Sequence, residues 1–213
     1  MGALHGNLAL YGLKRCGFVP AFESVYAGYT INGGLMGWPT PDLSDKSLRN
    51  FHRGNLASWR AYIAFQVSFG HLIGWQMVED LIFILSNSKV SLAYLQQAAR
   101  LFLEHPEFMF HGRLMRPPTF EVPLPVVTMT GNNPTPNYQP CIVPAVATSI
   151  FEAANGSQAL VVVNHAPSAI IVVVAASHEY PRLNMSVAPL SAHLYLLHRT
   201  RLKNDDALCC AQC

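Results

Sequence analysis

The chain changes character near Pro117, and this change limits what it can fold into more than any other feature. Upstream, apolar residues recur at helical spacing. Leu56, Trp59, Ile63 and Val67 form one stripe, with Asn55 as its cap and Gly70 as its stop. Leu92, Leu95, Ala99 and Phe102 form a second, capped by Ser91, with Pro106 just past its end. Apolar runs at 18–29, before the first helix, and at 71–77, between the two, read as strands, and 32–45, rich in Gly, Pro, Asn and Asp, as a long loop. Downstream, prolines become frequent and the periodicity turns to short Val- and Ile-rich runs. Strands are predicted over Phe120–Thr130, Ile142–Glu152, Gln158–Asn164, Ala169–Ala175 and His193–His198, with a hairpin around Asn164–Ser168. The expected fold is α/β followed by all-β. It comprises a strand–helix–strand–helix segment over 1–116, a small antiparallel β-sandwich over 117–200 and a disordered tail over 201–213.

Composition narrows the function classes. Of 213 residues, 51% are apolar and only 12% charged, which excludes a solvated disordered chain and leaves few charges to cover a free-standing surface. Such a chain suits part of a larger body, or one that buries a face against a partner. The net charge is +2 with Lys and Arg scattered, so no basic stripe points to nucleic acid. No membrane span is expected: the longest apolar run, Ala159–Ala176, is broken by Asn164-His165-Ala166-Pro167-Ser168. Leu8–Leu13 is too short for a signal peptide, is broken by Gly12 and lacks an upstream Lys or Arg, and the compartment stays open. Of the five cysteines, Cys209, Cys210 and Cys213 crowd the last residues without a second ligand pair for zinc. Cys210-Ala211-Gln212-Cys213 departs from a prenylation box at Gln212, and a frayed tail is the expected reading. Glycosylation sequons stand at Asn155-Gly156-Ser157 and Asn184-Met185-Ser186; they bear on function only in a secreted chain.

The run Val19-Pro20-Ala21-Phe22-Glu23-Ser24-Val25-Tyr26-Ala27-Gly28-Tyr29 reads as a buried strand ending in one carboxylate and two tyrosines. It resembles a late barrel strand of a family of large, mostly bacterial glycoside-hydrolase-like proteins of unassigned function. Gly70-His71-Leu72-Ile73-Gly74-Trp75, Tyr94-Leu95-Gln96-Gln97-Ala98-Ala99-Arg100 and Phe110-His111-Gly112-Arg113-Leu114-Met115-Arg116-Pro117-Pro118 are similar to later segments of that family. Val161-Val162-Val163-Asn164-His165 resembles a strand of its terminal sandwich. The likeness runs in order through roughly residues 18–198. It implies the last βα units of a TIM-type (β/α)₈ barrel followed by a β-sandwich. The family carries a polar pair where this chain has Ala27-Gly28, and its barrel is several times longer upstream. The barrel part is therefore expected to be incomplete, since such a barrel closes only with all its strands.

That resemblance gives the candidate residues a chemistry. Glycoside hydrolysis usually needs two carboxylates, about 5–5.5 Å apart when retaining and about 6.5–9.5 Å apart when inverting. Glu23 supplies one such group, a partner for a sugar hydroxyl, or an ion-paired carboxylate at a strand end. Tyr26 and Tyr29 lie three apart, so a regular strand turns them to opposite faces and at most one meets a ligand. Trp75 offers a ring to stack on a sugar or to pack beneath the α/β layer, and Gln76 an amide for hydroxyls. Trp38 is a further platform. Glu79 and Asp80 diverge on any regular element and read as a turn or helix start. His52, His105 and His111 read as surface or packing residues, since no His-x-x-x-His pair falls on a predicted helix. With no Gly-x-Ser-x-Gly elbow and no Gly-rich phosphate loop, neither a cofactor nor a metal is expected. The expected function is that of a glycoside-hydrolase-like carbohydrate-active fragment, catalytically incomplete because one plausible carboxylate cannot do two jobs. The alternatives are a non-catalytic module that binds a carbohydrate or docks on a separately encoded barrel portion, and a truncated gene product.

Overall fold

A computed structural model describes residues 55–73, 88–129, 141–178 and 180–197. They form three helices, α1 (Asn55–Ser68), α2 (Lys89–Glu104) and α3 (Pro106–Met109). Eight strands follow: β1 (Arg113–Leu114), β2 (Val126–Met129), β3 (Cys141–Pro144), β4 (Val146–Glu152), β5 (Gln158–Asn164), β6 (Ile170–Val174), β7 (Leu183–Val187) and β8 (Ser191–Leu197). The described residues are thus mixed, with strands predominating. Every strand pairing among them is antiparallel, and the sheets are open. The expected opening strand, the 32–45 loop and the 201–213 tail lie outside the described residues, as does most of the 71–77 run.

α1 has Asn55 as its first residue and not as the cap ahead of it, and stops where the sequence predicts. Gly70 adopts φ 69°. Its N–H reaches Val67 O at 3.0 Å while the His71 N–H reaches Gln66 O at 2.8 Å, the paired bonds of a Schellman cap. α2 begins earlier than expected. Its cap is Ser88, whose side chain accepts from the Ser91 N–H, so Ser91 lies inside the helix and not at its cap. The expected stripe is corrected too. The buried face is Ser91, Tyr94, Ala98, Leu101 and Phe102, whereas Leu92 and Leu95 are half-buried flanks and Ala99 is exposed. The reason is Tyr94: its hydroxyl donates to Arg60 O at 2.9 Å, so the aromatic takes the centre of the contact with α1. Pro106 does not merely follow α2 but opens α3, where its missing N–H costs nothing.

Strands β1-β4-β5-β8 form one sheet, whose two faces bury different neighbours. Ala147, Phe151, Ala159, Val161, Val163 and Ala192 pack against Trp59, Ile63 and Val67 of α1, Tyr94 and Ala98 of α2, and Phe108 of α3. Val146, Ile150, Leu160, Val162 and Leu197 pack the other way, against Ile170, Val172 and Val174 of β6 and Val187 of β7. Alternating side chains explain this split. The architecture is therefore three layers: helices, the four-stranded sheet, and the β6–β7 ribbon, to which Leu124 and Val127 add from beside β3. Every residue of β5 is buried, because it is central both within its sheet and between the layers. Helices and strands share the first core, which therefore continues across the junction at 113–120.

The strand predictions need several corrections: of Phe120–Thr130 only Val126–Met129 forms a strand, and the two-residue β1 was not expected. Ile142–Glu152 is two strands, β3 and β4, broken at Ala145 so that β3 pairs with β2 and β4 with β5. β7 was not predicted, because Leu183-Asn184-Met185-Ser186-Val187 carries a weak apolar signal. The Asn164–Ser168 hairpin does not form. β5 already has β4 on one edge and β8 on the other, so β6 has no edge to join and crosses to the second layer to pair with β7.

Candidate functional site

Glu23, Tyr26, Tyr29, Trp75 and Gln76 all lie outside the described residues, as do Trp38, His52, Glu79 and Asp80. His111 is exposed. His105 is half-buried at the α2–α3 junction, 3.9 Å from Glu107. The polar groups that the described residues gather come together at three other places.

The first lies between α1 and α2. Arg60 donates to Ser91 Oγ through Nε at 2.9 Å and Nη2 at 2.7 Å. The Ser91 and Ser88 hydroxyls stand 2.7 Å apart. Burial pulls the guanidinium below its ordinary value, with Tyr94 opposing. Burial likewise pushes the Tyr94 phenol well up, Arg60 opposing, so the phenol stays neutral. A cation with two hydroxyls and a neutral phenol makes a helix–helix clamp; it contains no acid–base pair. The Ser-x-x-Ser spacing at the start of α2 is the sequence signal for it.

The second is the corner after β5. Asn164, fully buried, donates through Nδ2 to Ser168 O at 2.8 Å, Ala188 O at 2.9 Å and Val187 O at 3.3 Å, and its Oδ1 accepts from the Ala166 N–H at 3.0 Å. Next to it, His165 Nε2 lies 2.8 Å from Pro144 O. A carbonyl only accepts, so Nε2 carries the proton. Burial lowers the imidazole pKa from its ordinary 6.5 to about 4, the Pro144 carbonyl opposing. This corner ties β3, β5 and the β7–β8 turn together.

The third is the far end of β4 and β5. Arg113 Nη2 donates to Glu152 Oε1 at 2.8 Å and Gln158 Nε2 to Glu152 Oε2 at 3.1 Å, while the buried Gln158 Oε1 has no hydrogen-bond partner. Elsewhere Arg182 Nε donates to Glu121 Oε1 at 2.8 Å on the surface, and that bond holds Glu121 below the usual carboxylate range. No group of three or more His, Cys, Asp and Glu among the described residues could hold a metal. No helix among them is long and apolar enough to cross a membrane. No protein-family model, curated protein or solved structure matches the chain.

Proposed function

We propose that the chain is the glycan-binding, non-hydrolytic part of a glycoside-hydrolase-like architecture. In this reading residues 1–116 derive from the last βα units of a (β/α)₈ barrel and 117–200 from its terminal sandwich. Glu23 and Gln76 hydrogen-bond sugar hydroxyls, Trp75 stacks on a sugar face, and one of Tyr26 and Tyr29 joins them. One observation carries the reading beyond the ordered resemblance itself. The helix segment Tyr94–Arg100 and the strand segment Val161–His165 resemble the family separately, yet Tyr94 and Ala98 share one core with Val161 and Val163. A shared core is what the reading requires of two segments taken from one body, and it supports the reading on that ground alone.

Titration calorimetry of the full chain against a glycan panel tests this. Binding that weakens at least tenfold, about 1.4 kcal/mol, in Trp75→Ala and in Glu23→Gln is expected, with no release of reducing sugar. Release of reducing sugar that Glu23→Gln abolishes would instead make the chain a hydrolase.

A second reading, docking on a separately encoded barrel portion, is favoured by the β2–β3 ribbon. The register pairs Val126 with Pro144 and Thr128 with Ile142, which puts all four on one exposed face. Failure of every glycan to bind, together with copurification of such a portion, would select it.

A further inference from the structure

The β4–β5 turn holds an asparagine set up for chemistry on itself. Ala153 N donates to Ser157 O and Gly156 N to Ala153 O, both at 2.9 Å. Gly156 has φ 79°, so Ala154, Asn155 and Gly156 form a tight turn closed by a left-handed glycine. Asn155 and Ser157 are exposed, and nothing lies within 4 Å of the place a Gly156 side chain would occupy. The Asn155 side-chain oxygen accepts two hydrogen bonds from Ser157, from its N–H at 2.9 Å and from its hydroxyl at 2.6 Å.

We propose that Asn155 is a site of spontaneous deamidation in the folded protein, driven by its neighbours in this turn. The two Ser157 donors polarise the Asn155 amide and stabilise the negative charge that develops on its oxygen when the carbon is attacked. The nucleophile is the Gly156 backbone nitrogen, which no side chain shields. It gives its proton to hydroxide and bonds to the Asn155 side-chain carbon; the amide nitrogen takes a proton back from water and leaves as ammonia, closing a succinimide. Water then opens the ring at one carbonyl or the other, giving aspartate or isoaspartate, so that overall one water enters and one ammonia departs. The Gly156 N–H bond to Ala153 opens first in a fast pre-equilibrium, and the ring closure that Ser157 assists sets the rate. The aspartyl product keeps both Ser157 bonds. The isoaspartyl product lengthens the backbone inside the turn and disturbs the terminal Glu152–Gln158 pair of the central hairpin.

Peptide mapping by mass spectrometry of the purified full chain, aged in mildly alkaline buffer, reads the reaction directly. The peptide carrying Asn155 should gain the mass of amide-to-acid replacement and split into two chromatographic species, faster as pH rises. Ser157→Ala, at an exposed position, should slow this severalfold. Asn32-Gly33 gives an Asn-Gly within the same digest that lacks the following serine. Retention of the Asn155 amide in the native chain, while a urea-unfolded sample loses it, would overturn the proposal. So would an unchanged rate in Ser157→Ala.

Discussion

The fold holds His165 neutral. Its imidazole is buried against Phe65, with ring centroids 6.1 Å apart, and Nε2–H is committed to Pro144 O. An unfolded histidine takes up a proton near its ordinary value, whereas this one resists until about 4. The unfolded state therefore binds more protons between those values. Stability is full above about pH 6.5, declines as the pH falls towards 4, and loses up to about 3 kcal/mol there. Urea midpoints measured across this window should drop for the wild type and flatten in His165→Gln, whose amide can still donate to Pro144 O. A residual slope is expected from the half-buried His193, which burial lowers in the same direction. The neighbouring Asn164 shows what a single sequence can hide. Its type and its place before Ala166-Pro167-Ser168 suggest a turn, and a turn is what a reading of the local sequence finds. That its amide gathers carbonyls from β7 and the β7–β8 turn is a tertiary fact, since those carbonyls lie more than twenty residues away.

α1 shows how an element's end can do two jobs. Gly70 takes a left-handed backbone that an L side chain adopts at a cost, and a Cβ there would meet the Phe151 ring at 3.2 Å. Gly70→Ala should lower stability by about 1–2 kcal/mol from the backbone alone, with more from the crowded ring. Chemical denaturation would measure it, and an unchanged midpoint would mean that the helix end does not press on the sheet. The stop was legible because glycine after a helical stripe is a local signal. The true face of α2 was not, because leucines outrank a tyrosine on hydropathy while the contact geometry favours the residue with a partner for its hydroxyl. The same contrast separates the strands. β5 was bounded correctly by its run of β-branched residues, whereas β7, with alternating Asn and Ser, gained its place only by pairing with β6.

Across the molecule, the core that joins α1, α2 and α3 to the four-stranded sheet predicts a single cooperative unit. Phe151 sits at its centre, almost wholly buried. Phe151→Ala should cost about 3–5 kcal/mol, a large part of the roughly 5–15 kcal/mol that holds a typical domain folded. Far-ultraviolet circular dichroism and the fluorescence of Trp59, in a background with Trp38 and Trp75 replaced by Phe, should lose signal at one shared midpoint that moves together in the variant. Separate midpoints would mean that helices and sheet unfold independently.

By itself the sequence determined the helices-then-strands order of the described residues, most strand positions among them and the stop of α1, because these follow from short-range periodicity and backbone preference. It also supplied the candidate sugar-contacting residues through a resemblance. Tertiary structure decided which strands pair, that β5 lies between two layers, that Ser88 rather than Ser91 caps α2, and that Asn164 and Arg60 carry the buried polar networks. These outcomes depend on which edges and carbonyls are left unpartnered once the layers pack, and no local stretch of sequence encodes that.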